Sequence, residues 1–248
     1  MESELYDAIR RVEHQHWWYV GRRAIVFDWI DRVVSQYENP RTLDLGCGTG
    51  FNLDLLSARG LTAFGVDISE RAVRFCRERG TRLVVQADAA RPPFASASFD
   101  VILALDVIEH LADDGAALKA MYAALRPGGR VILFTPAFQF LWSVQDRVSH
   151  HYRRYVAKDL RLKLEAAGFA VEKLSYANTL LFPVVWLGRL AIRWSGRADS
   201  IESENDLHPG WANGLLARLF STERHVLAAA NLPFGVSLLA VARRELGS

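Results

Sequence analysis

The sequence predicts an α/β protein whose core is a mostly parallel β-sheet covered by helices. Between residues 41 and 135, short apolar runs typical of strands alternate with segments of helical periodicity, the pattern of parallel strands joined by right-handed crossovers. Residues 99–105, FDVILAL, are a nearly continuous apolar run, as expected of a central strand buried on both faces. A glycine-rich turn at 46–50 joins the first strand to a helix, which is where open α/β sheets bind ligands.

The composition indicates one globular domain, residues 1–248, with a sizeable core. Of 248 residues, 50% are hydrophobic and 23% are charged, which argues against a disordered chain. The net charge of +2 is too small to indicate a nucleic-acid-binding face, so we expect no nucleic-acid partner. Two cysteines, Cys47 and Cys76, form neither a disulfide framework nor a zinc motif, which fits a reducing cytoplasm. The N-terminus is acidic and lacks an apolar core, so no signal peptide is expected.

The first half of the chain supplies a helical lead-in, residues 1–38, and then three strands. Apolar residues recur at helical spacing in 1–11 and 24–37, and Pro40 ends the second of these helices. Ser69 is placed to cap the helix after the second strand. The predicted strands are 41–45, 61–67 and 81–86, and the helices between them are 51–59 and 70–79.

The second half supplies the remaining strands and a long insertion. The predicted elements are a strand at 99–105, a helix at 114–125, an R-P-G-G-R turn at 126–130, a strand at 131–135, a helix at 157–167, and strands at 168–176 and 234–243. Residues 177–233 separate the last two strands and carry a second helical pattern at 215–230. An insertion this long is a cap, the interface of a homodimer or a membrane-facing device rather than a simple loop.

Residues 179–194, within this insertion, are markedly apolar. Pro183, Arg189 and Arg193 interrupt a segment already shorter than the roughly 20 residues of a transmembrane helix. A buried cap helix is one interpretation, and an interfacial helix that serves a lipid-linked substrate is the other. The second would associate a cytoplasmic protein with a membrane surface.

The polar residues after this segment do not predict a metal site. Four of them belong to metal-ligating types: Glu202, Glu204, Asp206 and His208. Because no compact His/carboxylate spacing recurs among them, we expect no metal there, and the sequence as a whole indicates none.

The glycine turn and two later acids predict the cofactor site. Its spacing is GxGxG with Asp44 two positions before the first glycine, whereas a dinucleotide site prefers GxGxxG, so the turn suits a ligand without a phosphate. Asp67 follows about 20 residues later, where an acid accepts hydrogen bonds from ribose hydroxyls. The string DLGCGTG resembles motif I of the class I S-adenosylmethionine (SAM)-dependent methyltransferases, and the resemblance continues through Asp67, Asp88 and Leu105–Asp106.

This resemblance implies the Rossmann-like, seven-stranded sheet of that family, in which the last strand pairs antiparallel with its neighbour. It also implies SAM as cofactor and S-adenosylhomocysteine (SAH) as product, with Asp88 close to the adenine amino group. The cofactor residues that we predict are Asp44, Leu45, Gly46, Cys47, Gly48, Gly50, Asp67, Ile68, Asp88, Ala89, Leu105 and Arg23.

Two aromatic and basic segments are candidates for acceptor binding. Residues 13–23, EHQHWWYVGRR, resemble the HWWxxGRR opening of a bacterial methyltransferase subfamily associated with glycoconjugate or secondary-metabolite pathways. This segment either packs against the domain or forms a lid over the site. If it forms a lid, Arg22 or Arg23 reaches the SAM carboxylate. Residues 145–155, QDRVSHHYRRY, follow the fifth strand at the ligand edge of the sheet. The predicted acceptor-binding residues are Trp18, Tyr19, Arg22, Glu109, Tyr152 and Arg154.

The predicted reaction is transfer of a methyl group to an oxygen of a small-molecule, sugar-linked or lipid-linked acceptor. A hydroxyl acceptor needs a base, and His110, His150 and His151 are the candidates, with Asp106 or Glu109 as an orienting carboxylate. A SAM-binding or assembly protein without turnover is the main alternative. A nicotinamide-dependent reductase is disfavoured by the glycine spacing.

Overall fold

The computed structural model describes residues 3–194 and 210–246, and these form the predicted α/β architecture. The strands are β1 (Arg41–Leu45), β2 (Thr62–Asp67), β3 (Val84–Gln86), β4 (Phe99–Leu105), β5 (Leu125–Pro136), β6 (Phe169–Ala177) and β7 (Ser237–Arg244). They make one seven-stranded sheet in the order β3-β2-β1-β4-β5-β7-β6. Strands β1 to β5 are parallel, and β7 lies antiparallel between β5 and β6, as predicted.

Helices cover the sheet. They are α1 (Ser3–Val12), α2 (Trp17–Val34), α3 (Phe51–Ser57), α4 (Glu70–Glu78), α5 (Asp114–Ala124), α6 (Val144–Val148), α7 (Ala157–Ala166), α8 (Phe182–Trp194) and α9 (Asn213–Ala229). Short 3₁₀ turns lie at Ile108–His110 and Gln139–Leu141.

Strand β4 is the centre of the core, and every one of its residues is buried. From Val101 to Leu105 its side chains alternate between the two faces of the sheet, whereas Phe99 precedes a register irregularity and falls outside this alternation. Phe99, Ile102 and Ala104 join one hydrophobic cluster. Val101, Leu103 and Leu105 join the other. Burial on both faces explains why the sequence of this strand is a continuous apolar run rather than an alternating one.

The second helix begins at Trp17 rather than at residue 24, so the aromatic and basic segment belongs to α2. His16 makes this early start possible, because its ring nitrogen accepts a hydrogen bond from the Trp18 N–H at 3.3 Å. The R-P-G-G-R turn also differs from the prediction, since it lies inside β5. Leu125 pairs with Phe99, and regular pairing resumes at Arg130 after an irregularity that Gly128, at φ +82°, accommodates.

The insertion between β6 and β7 divides into two unlike parts. Helix α9 belongs to the core, because Phe220 is fully buried against Gly21 of α2 and Leu227 is fully buried nearby. None of the residues of α8 is buried, so the expectation of a buried helix is wrong for this segment. Glu202, Glu204, Asp206 and His208 lie outside the described residues.

Candidate functional site

A cavity of about 1480 Å³ lies along the carboxyl ends of the parallel strands. Its walls include the glycine turn after β1, the residues that follow β2, β3 and β4, and the inner face of α8. Strand β1 pairs with β2 on one side and β4 on the other, so the strand order reverses here. This is the position at which open α/β sheets hold ligands.

The glycine turn has a backbone that side chains would obstruct. Gly46, Gly48 and Gly50 have φ values of +74°, +54° and +81°, which L-residues rarely adopt. A Cβ on Gly46 would lie 2.6 Å from Val107 Cγ2, and one on Gly50 would lie 2.9 Å from Cys76 Sγ. Gly48 faces open space, with no described atom within 4 Å of a Cβ placed there, so its backbone is accessible from the cavity.

Asp44 lies beneath this turn and is 1% exposed. Its Oδ2 atom is buried and has no hydrogen-bond partner among the described residues. Burial raises the pKa of this carboxyl to about 7, against the lowering effect of the nearby Arg22 guanidinium. A buried acid with one oxygen unoccupied suits a ligand that carries a hydrogen-bond donor or a positive charge.

Asp67 ends β2 at the wall of the cavity, and its carboxylate already accepts three hydrogen bonds. Gly48 N–H donates to Oδ2 at 2.9 Å, and Ser69 N–H donates to Oδ1 at 2.9 Å. The Tyr6 hydroxyl of α1 also donates to Oδ1, at 3.0 Å. Since a carboxylate offers about four acceptor positions, roughly one remains while Tyr6 is in place. Burial raises the pKa of Asp67, and these three donors oppose that rise.

Helix α1 is tied to the glycine turn by a second contact that the sequence did not reveal. Glu13 accepts a hydrogen bond from the Thr49 hydroxyl at 2.5 Å and forms an ion pair with Arg79 at 2.7 Å. Arg79 also donates to the Thr49 carbonyl at 2.9 Å. These partners lie 36 and 66 residues apart in sequence, so no local pattern could have identified them.

The other predicted cofactor residues line the same end of the cavity: Cys47, Ile68, Asp88, Ala89, Leu105 and Arg23. Asp88 is exposed and accepts a hydrogen bond from Ala90 N–H at 2.8 Å. The guanidinium carbon of Arg23 lies 4.4 Å from the centre of the Phe51 ring. Leu45 is fully buried in the core behind the turn.

Arg22 and Asp106 form an ion pair, and both residues line the cavity. The guanidinium carbon of Arg22 lies 4.7 Å from the Trp18 ring centre and 5.6 Å from that of Tyr19, so the aromatic residues hold it in place. Asp106 has a positive φ of +56° and donates its N–H to the Phe134 carbonyl at 2.7 Å. Burial raises its pKa, whereas Arg22 lowers it.

Three predicted residues, Glu109, His110 and His151, lie close together at and near the 3₁₀ turn that follows β4. One potential ligand atom from each of Glu109, His110 and His151 lies within 4.8 Å of the other two. The His110 and His151 rings are nearly perpendicular, with centres 4.5 Å apart, and both line the cavity. Burial lowers the pKa of His110 to about 3, so its imidazole is neutral at pH 7.

Glu109 is fully buried and is not among the residues that line the cavity. Its Oε2 accepts a hydrogen bond from the Thr135 hydroxyl at 3.0 Å. Its Oε1 has no partner among the described residues. Burial, with the nearby Asp106 carboxylate, raises the pKa of Glu109 well above its usual range.

Asp146 organises the basic segment that contains His151. Its carboxylate is fully buried and pairs with His151 Nδ1 at 2.8 Å and with Arg154 Nε and Nη2, both at 2.8 Å. Arg154 also donates to the Ala137 carbonyl at 3.1 Å, so it connects this segment to the end of β5. Asp146 was absent from the sequence predictions, although it lies in the same segment, residues 145–155.

The two remaining predicted residues of this segment are more exposed. His150 has a φ of +55°, and Tyr152 has 61% of its surface exposed. Both line the cavity. Tyr152 N–H donates to the Glu109 carbonyl at 2.8 Å, which joins this segment to the 3₁₀ turn that carries His110.

Residues 43–133 match the family model described as a methyltransferase domain. This part of the chain is similar to a methyltransferase domain. The matched residues extend from β1 to β5, and the sheet order and the antiparallel β7 agree with that fold. SAM is the cofactor that the domain implies. The finer assignment to a subfamily with an HWWxxGRR opening stays a prediction.

Curated relatives of the methyltransferase domain come from bacteria. The chain is 30% identical over 161 residues to a Mycolicibacterium smegmatis protein named "Probable S-adenosylmethionine-dependent methyltransferase", which covers 64% of this chain and 61% of that one. It is 29% identical over 115 residues to the ubiquinone biosynthesis O-methyltransferase of Leptothrix cholodnii, which covers 44% of this chain and 49% of that one. The matches thus span about half to three fifths of the lengths of these relatives.

A solved structure supports the fold of the methyltransferase domain over nearly the whole chain. A SAM-dependent methyltransferase from Thermotoga maritima superposes with a TM-score of 0.57 at 17% identity, and the match covers 97% of this chain and 100% of that one. Among the residues that the structure describes, no helix is both long and apolar enough to cross a membrane.

Proposed function

We propose that this protein transfers the methyl group of SAM to an oxygen atom of a small hydroxylated acceptor. The observation that carries the proposal is a single cavity whose wall has two chemically different parts. The first, the cofactor end, has the glycine turn and Asp67, with Asp44 buried beneath the turn, and the second, the acceptor end, has the histidines His110 and His151. Cofactor and acceptor would therefore meet within one enclosure, as a direct transfer requires.

The residues at the first end fit SAM. The unoccupied buried oxygen of Asp44 suits the ammonium of the methionine part, and Gly48 leaves room for a ligand to approach the backbone. Asp67 suits the ribose hydroxyls, although the Tyr6 hydroxyl occupies one of the acceptor positions of its carboxylate. Asp88 with Ala89 would face the adenine, and Arg23 would reach the methionine carboxylate.

The residues at the second end fit a hydroxyl or phenol. Trp18, Tyr19 and Tyr152 provide ring surfaces on the cavity wall, which also carries the Arg22–Asp106 ion pair. The curated relatives include ubiquinone biosynthesis O-methyltransferases, whose name states transfer to oxygen. This supports an oxygen acceptor here.

The chemistry assigns separate tasks to the cofactor and to the chain. When bound, SAM supplies a methyl group on a positively charged sulfur. The cavity residues hold the acceptor oxygen behind that carbon and exclude water. The oxygen must also lose its proton, which passes to His150 or His151 and then to solvent, because burial lowers the pKa of His110 to about 3 and makes that imidazole a weak proton acceptor.

Helix α8 closes the acceptor end and has a second, exposed face. Val185, Arg189 and Ile192 line the cavity, whereas Val184 and Leu187 are exposed at 61% and 59%. Arg189 attaches the helix to the Leu141 carbonyl at 2.6 Å. This arrangement supports a cap whose outer face meets a lipid-linked acceptor at a membrane surface, and a homodimer contact is the competing role.

Calorimetry with SAH tests the cofactor half of the proposal. The intact protein should bind one SAH per chain, and Asp67→Ala should weaken binding by roughly tenfold or more, because a hydrogen bond to a charged group is lost. Asp159→Ala, an exposed acid on α7, is the matched control and should bind as the native chain does. A folded sample that does not bind SAH at high micromolar concentration would refute the proposal.

Mass spectrometry tests the transfer half. The protein is incubated with deuterium-labelled SAM and with aqueous and lipid extracts, and the expected product is a labelled methyl ether. Binding of SAH without labelled product in either extract would favour a SAM-binding assembly protein. A labelled product only in the lipid extract would support the role proposed for α8.

A further inference from the structure

We propose that Glu109, His110 and His151 bind a divalent transition-metal ion at the acceptor end of the cavity. The evidence for metal binding is the geometry of these residues alone, whereas the role of the ion rests on the proposed methyl transfer. The sequence indicated no metal because the three residues lie in two segments about 40 positions apart, a spacing that resembles no compact metal motif.

The three side chains are close enough to share one ion after a small adjustment. One ligand atom from each lies within 4.8 Å of the others. Ligand atoms around a tetrahedral zinc ion are about 3.4 Å apart, given metal–ligand distances of about 2.1 Å. Rotations that move each side chain by roughly 1 Å would therefore complete the site, and the cavity beside both histidines leaves space for them.

Glu109 has one carboxylate oxygen without a hydrogen-bond partner among the described residues. The side chain is fully buried, its Oε2 accepts from the Thr135 hydroxyl, and its Oε1 has no partner among residues 3–194 and 210–246. Buried polar atoms almost always have a partner, so a lone carboxylate oxygen beside two imidazoles calls for a ligand. A metal ion supplies that partner.

The histidines are held by outer contacts in the way that metal-binding histidines are held. His151 Nδ1 pairs with Asp146 at 2.8 Å, so Nε2 is the nitrogen that would bind the ion. The His110 ring hydrogen-bonds to the backbone of Ser149, so one of its nitrogens is also engaged. Such contacts orient metal-ligating imidazoles and fix their tautomer. Asp146 is itself immobilised by Arg154, so the position of His151 is well defined.

The ligand set selects the class of metal. One carboxylate and two imidazoles suit zinc, manganese, iron(II) or cobalt(II), whereas magnesium and calcium prefer oxygen ligands alone. Three protein ligands also leave a coordination position open, as in catalytic rather than structural zinc sites. Since the histidines line the cavity and Glu109 lies behind them, that open position faces the acceptor.

An ion at this position would take over the activation of the acceptor. A metal that binds a hydroxyl or phenol oxygen lowers the pKa of that group, so the oxygen becomes a nucleophile near neutral pH. The histidines would then serve as ligands rather than as the base. In that case the acceptor is a molecule whose reacting oxygen can coordinate a metal ion.

Cobalt(II) titration of the tag-free, full-length protein after chelator treatment tests the binding. Visible absorption of bound cobalt should saturate at one ion per chain, and zinc should displace it. Glu109→Gln, His110→Ala and His151→Ala should each weaken cobalt binding by at least roughly tenfold. His225→Ala, which removes an exposed histidine of α9, is the matched control and should bind as the native chain does.

Each result of the cobalt titration either supports or overturns the proposed metal site. Saturation at one ion that the three variants weaken and the control retains supports the proposal. Absence of saturable binding, or binding that Glu109→Gln and His225→Ala leave equally strong, overturns it. SAH calorimetry on every variant shows that the chain is folded. It also separates the two proposals, because a native chain that binds SAH but shows no saturable cobalt binding contradicts the metal site alone.

Discussion

Replacing Asp44 by Asn should remove a large part of the dependence of stability on pH. In the folded chain this carboxyl is 1% exposed, and burial raises its pKa to about 7. The charged groups that act on it are Arg22 from α2, which lowers the pKa, and Asp67 from β2, which raises it. Asn52 from α3 adds a hydrogen bond that lowers the pKa. The amide of Asn has nearly the same shape as the acid and cannot ionise.

The sign follows from the raised pKa. Because the folded chain holds the proton more tightly than the unfolded chain, the stabilising contribution is complete below pH 4 and is lost as the pH rises through 7. With an unfolded pKa near 3.9, the raised pKa lowers the free energy of unfolding by roughly 1–2 kcal/mol at pH 5 and by about 4 kcal/mol at pH 8. The native chain should therefore lose roughly 2–3 kcal/mol of stability between these pH values relative to the Asn variant.

Urea unfolding of both proteins at pH 5, 6, 7 and 8 measures this difference. Other titrating groups are common to the two chains, so their contributions cancel when the free energies of unfolding are subtracted. The difference should favour the Asn variant increasingly as pH rises. Parallel pH profiles would refute the reasoning, since they would mean that Asp44 is ionised throughout the range.

Two further predictions concern the packing of α2 and the hydroxyl on Asp67. Gly21→Ala should lower the free energy of unfolding by about 1–3 kcal/mol, because its Cβ would lie 2.2 Å from a ring carbon of Phe220. Gly188→Ala, in open space on α8, should be neutral or stabilising by up to about 1 kcal/mol, and equal losses in thermal unfolding would contradict this explanation. Tyr6→Phe frees an accepting position on Asp67 and should tighten SAH binding by roughly two- to tenfold in calorimetry; weaker binding would mean that the hydroxyl assists the cofactor.

Much of the sheet was predictable because its signals are local. The apolar run of β4 and the glycine turn can each be recognised from a few consecutive residues. Gly48 and Asp67 each follow a parallel strand, so both lie at the carboxyl edge of the sheet. Element ends were less predictable. The start of α2 depends on a cap from His16, and β5 absorbs a turn because Leu125 finds Phe99 as a partner across the sheet.

The contacts that complete the site could not be predicted, because they join residues that are distant in sequence. The Tyr6 hydroxyl reaches Asp67 across 61 positions, and the Thr49 hydroxyl reaches Glu13 across 36. Helical periodicity shows that α9 has an apolar face but not that Phe220 meets Gly21. That pairing depends on how two helices pack, which a pattern within either one does not specify.

The sequence by itself determined the fold class, the glycine turn and the acids after β1 and β2, because backbone conformation and strand burial restrict which residues can occupy those positions. Only the tertiary structure decided which polar groups share an environment. Within the described part of the chain, one oxygen of Asp44 and one of Glu109 have no hydrogen-bond partner, and Glu109 lies close to His110 and His151. Burial and proximity set the charge of these groups, and both arise only when separate segments pack together.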